Sequence, residues 1–235
     1  QRLNNLKMKN ELREAELLAL QSQINPHFIF NTINIGAKIA MLEGDKRTCT
    51  YLENAADIFR YTLKGLSDDV QLIDEIDNVC AYIYLLQTRF GDSVSFETDL
   101  GEDSTALNIT VPRMILQPIA ENAYIHGISE LEEGGTITLK VRSNDEYVYV
   151  YIMDDGKGIS QEKINELLGD TSDDVHQNVL ATKKGHTTGI GVHNVINRLR
   201  LYYNQNDAFD IKCEDGLTKM IFKLSRNRKQ GENNV

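Results

Sequence analysis

From Pro26 to Leu42, apolar side chains recur on nearly every side of a 3.6-residue helix, and a single line of positions stays polar. That line holds His27, Asn31, Asn34 and Lys38, at offsets of four, seven and eleven from the histidine. One flank carries Pro26, Phe30, Ile33, Ala37 and Ala40, and the other carries Phe28, Ile35, Ile39 and Leu42; the rear offers Ile29, Thr32 and Gly36. A helix this apolar belongs inside a bundle, so the polar line is left to face solvent or a docking partner. His27 is the reactive group on it.

The flanking sequence extends the same reading. Leu3, Leu6, Leu12, Leu17 and Leu20 fall at roughly helical intervals with no proline or glycine between them, so residues 1–20 are expected to run straight into the His27 helix. Pro26 removes one backbone hydrogen bond and is expected to bend that helix at or just before the histidine. Glu43-Gly44-Asp45-Lys46 reads as a turn. A second helix then carries Leu52, Ala55, Ala56, Phe59, Leu63 and Leu66 on one face, which makes an antiparallel hairpin. Two such hairpins from two chains would form a four-helix bundle, the simplest burial for so much apolar helix, so a homodimer is expected.

Beyond Gly65 and the acidic turn at Asp68-Asp69, an amphipathic helix is expected over 73–90, and then the period changes. Residues 94–100, 136–141, 147–153, 209–213 and 219–224 alternate as strands, with helices between them over about 113–126, 161–168 and 192–203. Helices interleaved with mainly antiparallel strands predict a two-layer α/β sandwich with its helices on one face. The expected organisation is therefore a signalling helix and helical hairpin over 1–66, a second domain over 67–228, and a disordered tail over 229–235.

Charge and cysteine content exclude several functions. A formal charge of −10 over 235 residues repels a phosphodiester backbone and an anionic lipid surface, and the short Arg226, Arg228 and Lys229 cluster does not offset it, so neither nucleic acid nor direct membrane contact is expected. Cys49, Cys80 and Cys213 are far apart, odd in number and without metal-ligand spacing, which reads as packing residues in a reducing compartment. No apolar run of about 18 residues is present. Because the chain opens on Gln1 rather than Met, it is expected to be the cytoplasmic portion of a longer protein of the inner or plasma membrane, whose remainder holds the membrane segments and the sensor.

Three elements of the second half converge on a phosphate-bearing ligand. In Gln117-Pro118-Ile119-Ala120-Glu121-Asn122-Ala123-Tyr124-Ile125-His126-Gly127, Asn122 and His126 lie one turn apart on one helix face. Mg²⁺ prefers oxygen ligands and keeps several waters, so one Asn carbonyl together with triphosphate oxygens would suffice, although a polar helix surface has the same look. In the stretch from Tyr149 to Ile159, a strand ends in Asp154, and Gly156 and Gly158 follow; the carboxylate suits an exocyclic amine such as adenine N6 and the glycines let backbone approach a base. Alone, that is equally an Asp-Gly turn. In the stretch from Gly189 to Leu199, Gly189 and Gly191 open a helix whose free N–H groups and dipole favour phosphate. The long loop over 160–188 contains Lys183, Lys184 and His186, which could close over a triphosphate as a lid or simply be solvated loop charges.

Taken in order, these motifs resemble the sensor histidine kinases of the LytS/YesM type, over roughly residues 15–225. The Ile24-to-Asn34 stretch is similar to that family's phosphoacceptor motif, and residues 116–127, 154–158 and 189–199 are similar to its N box and glycine boxes. The resemblance implies a dimerisation and histidine-phosphotransfer hairpin followed by a Bergerat-type ATP-binding domain shared with gyrase and Hsp90. It implies that Asn122 holds Mg²⁺, that Asp154 reads adenine, and that Gly189-Ile190-Gly191 cradles phosphate. Two departures stand out: Phe28 follows the histidine where orthodox kinases carry an acidic residue, and Asp155 stands where many relatives have Asn.

The reaction so implied is transfer of the γ-phosphoryl group of ATP to a ring nitrogen of His27, and from there to an aspartate on a response regulator receiver domain. An ordinary imidazole, titrating near about 6.5, is mostly neutral at cytoplasmic pH and is a fair nucleophile, which leaves in-line positioning and charge neutralisation as the main demands on the protein. Glu121 is the residue that the N-box match suggests as base, and Asn31, one turn beyond His27, could position a water. Two rivals remain open: a Bergerat-fold ATPase in which His27 is structural, and a non-catalytic dimerisation scaffold.

Overall fold

The computed structural model describes residues 26–63, 69–169 and 190–226, and the chain divides into two compact units between Leu63 and Lys64. The expected leading helix over 1–20, the bend it would make into Pro26, Gly65, Leu66 and Asp68, the lid residues Lys183, Lys184 and His186, Gly189, and the 229–235 tail lie outside the described residues.

In the first unit, α1 (Pro26–Leu42) and α2 (Lys46–Leu63) form a helical hairpin. Asp45 starts α2 by accepting the backbone N–H of Thr48 at 3.0 Å and its hydroxyl at 2.6 Å, which satisfies a donor the helix leaves free. On one flank of α1 Ala37 and Ala40, small residues that let the helices approach closely, pack on Cys49 and Leu52 of α2. At the open end of this seam, the Arg60 guanidinium lies 4.7 Å from the centre of the Phe30 ring, a cation–π contact. The other flank is open to solvent: Phe28 is 67% and Leu42 is 87% exposed, and Ile35, Ile39 and Met41 are exposed with them.

The second unit opens with β1 (Asp69–Gln71) and α3 (Leu72–Phe90), followed by β2 (Val94–Asp99) and β3 (Thr110–Pro112). Next come α4 (Gln117–Asn122), which widens into a π turn over Ala123–Ile128, then β4 (Gly135–Ser143) and β5 (Tyr147–Asp154). The unit ends with α5 (Gln161–Gly169), α6 (Ile190–Tyr203), β6 (Phe209–Glu214) and β7 (Leu217–Ser225). Five strands form one sheet in the order β2-β4-β5-β7-β6, with β2 parallel to β4 and the other pairs antiparallel, while β1 and β3 make a separate two-stranded ladder.

Strand alternation decides which side of the sheet is covered. Val148, Val150 and Ile152 of β5, and Met220, Phe222 and Leu224 of β7, are buried against Ile76, Val79 and Ile83 of α3, Ile119 of α4 and Val195, Ile196 and Leu199 of α6. The alternate residues, Tyr149 and Tyr151 of β5 and Lys219 and Lys223 of β7, lie on the other face. The result is the expected two-layer sandwich.

Two local expectations need correction. The helix expected over 113–126 starts at Gln117, because Met114 adopts φ 60° and the N–H groups of Met114, Ile115 and Leu116 are held by the Glu75 side chain instead of entering a helix. The cysteines are not uniformly packing residues: Cys49 is buried, Cys80 intermediate and Cys213 exposed, and all three are free thiols.

Phe222 is fully buried and meets Phe209 edge-on with ring centres 5.0 Å apart. Phe222→Ala is expected to lower the stability of this unit by about 3–5 kcal/mol, measured as the shift in its urea unfolding transition.

Candidate functional site

At the end of the sheet where β5 finishes beside the start of β7, a cleft of about 260 Å³ opens between the sheet, the π turn and α5. Its floor is polar. Asp154, the last residue of β5, is 3% exposed and stands opposite Thr218 of β7 in the ladder. The backbone N–H of Gly156 donates to Asp154 Oδ1 at 3.2 Å, and the Thr218 hydroxyl makes a second hydrogen bond to the same carboxyl. The walls are apolar, built from Ile159, Leu167 and Met220. The volume, a little below the roughly 300–1,000 Å³ usual for ligand pockets, accommodates a flat heteroaromatic base, and a phosphate chain attached to it would extend out of the open side.

The close approach that shapes the floor requires two glycines. A Cβ on Gly127 would sit 2.4 Å from Asp154 Oδ1, and a Cβ on Gly156 would sit 2.4 Å from the Gly127 backbone. The Lys157 N–H then donates to the Gly127 carbonyl at 3.1 Å, fastening the loop after β5 to the π turn. Without side chains at 127 and 156, the helix can come down onto the carboxylate and fix its orientation.

Burial pushes the Asp154 carboxyl up to about 6 and the neighbouring Asp155 charge adds to the rise, while the bonds from Gly156 and Thr218 act against it. Asp155 itself is exposed and accepts the Thr136 N–H at 2.6 Å, so the acidic residue that stands in place of Asn still closes the turn.

Asn122 and His126 border the same cleft, one turn apart, where the α-helix loosens into the π turn. Such widened turns recur at functional sites because they re-aim side chains without breaking the helix. Two ammonium groups also reach the cleft: Lys157, 2.7 Å from Glu130, and Lys163, 2.7 Å from Glu166. Both glutamates are well exposed, and exposed pairs of this kind are worth only about 0–1 kcal/mol, so an arriving polyanion can take either lysine at little cost. Among the described residues no group of three or more His, Cys, Asp or Glu side chains could hold a metal ion, so a cation here would depend on Asn122 and on oxygens brought by the ligand.

In the other unit, His27 is exposed on α1, and the Asn31 amide nitrogen lies 3.2 Å from its Nδ1 and 3.3 Å from its Nε2. The amide can donate to whichever ring nitrogen carries the lone pair, which orients the ring without hiding it.

The structure thus gathers Asn122, His126, Asp154 and Gly158 around one cleft, with Gly156 packed directly behind its floor. Glu121 points elsewhere and is exposed; Gly191 is exposed in the first turn of α6. Thr218, Met220, Lys163, Leu167 and Lys157 also line the cleft, with no role expected of them from the sequence. Thr218 and Met220 were legible in it, since strand alternation turns them to the covered face and Thr218 pairs with Asp154. Lys163 and Leu167 carry no comparable signal.

The family model for histidine kinase-, DNA gyrase B- and HSP90-like ATPases matches residues 108–227, just over half of the chain. The chain belongs to this family. The histidine kinase model matches residues 15–94 as well. The sensor protein LytS of Oceanobacillus iheyensis is 33% identical over 219 residues, covering 93% of this chain and 36% of that protein. The sensor histidine kinase YpdA of Escherichia coli is 32% identical over 224 residues, 94% of this chain and 36% of its own length. The chain therefore spans about a third of the length of these relatives. Among solved structures, the catalytic domain of the histidine kinase ThkA aligns with a TM-score of 0.49 at 14% identity, over 68% of this chain and 98% of that one.

The raised carboxyl has a measurable consequence. Between its ordinary value of 3.8 and about 6, folded Asp154 retains a proton that the unfolded chain has lost, so its contribution to stability falls as pH rises through that window. Asp154→Asn is expected to match wild type near pH 4 and to exceed it by roughly 2–3 kcal/mol at pH 7, at about 1.4 kcal/mol per pKa unit, in urea titrations at the two pH values. Gly127→Ala is expected to destabilise by about 1–3 kcal/mol, because its methyl group must displace the carboxylate, and to weaken binding of adenosine in calorimetry.

Proposed function

We propose that this chain is the catalytic region of a two-component sensor histidine kinase: the cleft holds ATP, the γ-phosphoryl group passes to His27, and His27 passes it to an aspartate on a response regulator receiver domain. The observation that carries this reading is the pairing of an exposed, amide-oriented imidazole on α1 with a cleft whose floor is a buried, only partly satisfied carboxylate.

Each group has a task. Ionised Asp154 accepts the adenine N6 amine, and Thr218 beside it favours a donor–acceptor edge over a plain apolar ring. Ile159, Leu167 and Met220 sandwich the base. Lys157 and Lys163 leave their glutamates for phosphate oxygens. Asn122 would hold Mg²⁺ through its carbonyl oxygen, and the ion would neutralise charge on the phosphates. At His27, the ring nitrogen with the free lone pair attacks phosphorus; an N–P bond forms, the bond to the bridging oxygen of ADP breaks, and the ring's other N–H proton is released. Glu121, exposed near the end of α4, is the residue we assign to take that proton.

The exposed flank of α1, with Phe28, Ile35, Ile39 and Leu42, suits burial against a second copy in a four-helix bundle, and leaves His27, Asn31 and Lys38 accessible on the adjoining stripe. No helix among the described residues is long and apolar enough to cross a membrane. Separately, the likeness to sensor proteins about three times this length supports a place on the cytoplasmic side of a longer membrane protein.

Incubation with Mg²⁺ and ATP labelled in the γ-phosphate is expected to give an acid-labile, base-stable label in wild type and none in His27→Gln, with ATP binding retained. Asp154→Ala is expected to lose both label and binding, the latter by at least tenfold. Label that survives in His27→Gln, or ATP hydrolysis undiminished in that variant, would favour an ATPase with a structural histidine.

A further inference from the structure

The turn Arg113-Met114-Ile115-Leu116, which leads into the Asn122 helix, is gripped from two sides. From α3, the fully buried Glu75 carboxylate accepts three backbone N–H groups: Met114 at 2.6 Å to one oxygen, Ile115 at 2.7 Å and Leu116 at 2.9 Å to the other. From α6, Arg198 Nη1 donates to the carbonyl oxygens of Arg113 at 2.5 Å and Met114 at 3.3 Å. Asn78, almost one turn beyond Glu75, donates to the Gln117 side-chain oxygen at 2.5 Å.

So much buried polar hardware is out of proportion to a simple connection. Met114 sits at φ 60°, in the left-handed region that a methionine avoids, so the turn holds a shape its own residue disfavours and must be held there by its surroundings. The helix it launches is six residues of α followed by a π turn, too short to fix its own direction. Its far end is fastened to the sheet through Gly127, against Asp154 and under the Lys157 N–H. Its near end hangs from the gripped turn, and Asn122 lies between the two anchors.

We propose that Glu75, seconded by Arg198, is a positioning residue for Asn122: by holding the Met114 turn it sets where the Asn122 carbonyl meets a magnesium–phosphate group. The assignment rests on Asn122 serving that group, as argued above. Asp154 and Thr218 belong to strands, and the far anchor at Gly127 stays with them, so loosening the near grip moves the metal end of the cleft and leaves the base end in place. Arg198 lies on α6, whose first turn carries Gly191, so a single turn locks the second glycine box and the N-box helix to one reference point. Neither residue borders the cleft, which separates their role from direct contact.

The test compares MgATP, ATP with EDTA, and adenosine by calorimetry on wild type, Glu75→Gln, Glu75→Asp and Arg198→Lys. In Glu75→Gln one acceptor oxygen becomes an amide that faces a backbone N–H. The expected result is MgATP affinity about tenfold lower in Glu75→Gln and about threefold lower in Arg198→Lys, partial recovery in Glu75→Asp, and adenosine affinity within twofold of wild type throughout, so that the gain in ATP affinity on adding Mg²⁺ shrinks. Parallel loss of MgATP and adenosine, or no change in the magnesium gain, overturns the proposal. If Glu75→Gln does not fold, Arg198→Lys decides by the same ratio. An Asn122→Ala variant that keeps the full magnesium gain would instead sink the reading of Asn122 on which the proposal stands.

Discussion

The nucleotide-binding unit depends on two buried carboxylates that are treated in opposite ways. Glu75 is ringed by three backbone N–H donors, and a buried charge so supplied is tied to its place and has little left to offer a ligand. Asp154 receives one N–H, from Gly156, and the Thr218 hydroxyl, so part of its acceptor capacity points into the cleft unspent. Burial without full satisfaction is costly, and that cost is what raises the carboxyl toward 6. A structural carboxylate has no reason to be left in that state; one that waits for a donor such as an exocyclic amine does.

The glycines follow from the same constraint. A carboxylate can be kept from water and still face a ligand only if backbone comes down beside it, since side chains would either fill the cleft or hold the helix away. Gly127 and Gly156 touch each other and the carboxylate at distances a Cβ cannot share. The glycine at 156, which the sequence offered as a way for backbone to approach a base, therefore acts one layer deeper, by letting the N-box turn seat on Asp154.

How far the sequence alone reached depends on the range of the interactions involved. The His27 stripe, the hairpin and the sheet strands rest on periodicity and burial, which are local, and the observed α1 spans the same residues as the periodic run, Pro26–Leu42. The convergence of Asn122, His126, Asp154 and Gly158 was legible as motif order. The start of α4 was not, because a helix-compatible stretch at 113–116 was diverted by a glutamate about forty positions earlier, and no local pattern reports such a partner. Lys163 and Leu167 were missed for a related reason: they reach the cleft through the docking of α5, a tertiary event. The three-residue ladder of β1 with β3 is too short for alternation to register.

α1 solves a different problem from the cleft, and the two solutions are complementary. A histidine that is to serve as the proposed phosphoacceptor has to be held firmly yet stay open to large partners, so its ring cannot be buried like Asp154. The helix meets both demands by dividing its circumference: Ala37 and Ala40 are packed against α2, Phe28, Ile35 and Ile39 form an exposed apolar side fit for a second copy, and the polar line between carries His27 with Asn31 as its brace. Dimerisation through that side would stiffen the helix without covering the stripe. An apolar substitution of Asn31 would disturb this division on both counts, because it would remove the donor at 3.2 Å from the ring and would extend the apolar surface onto the line that has to stay open.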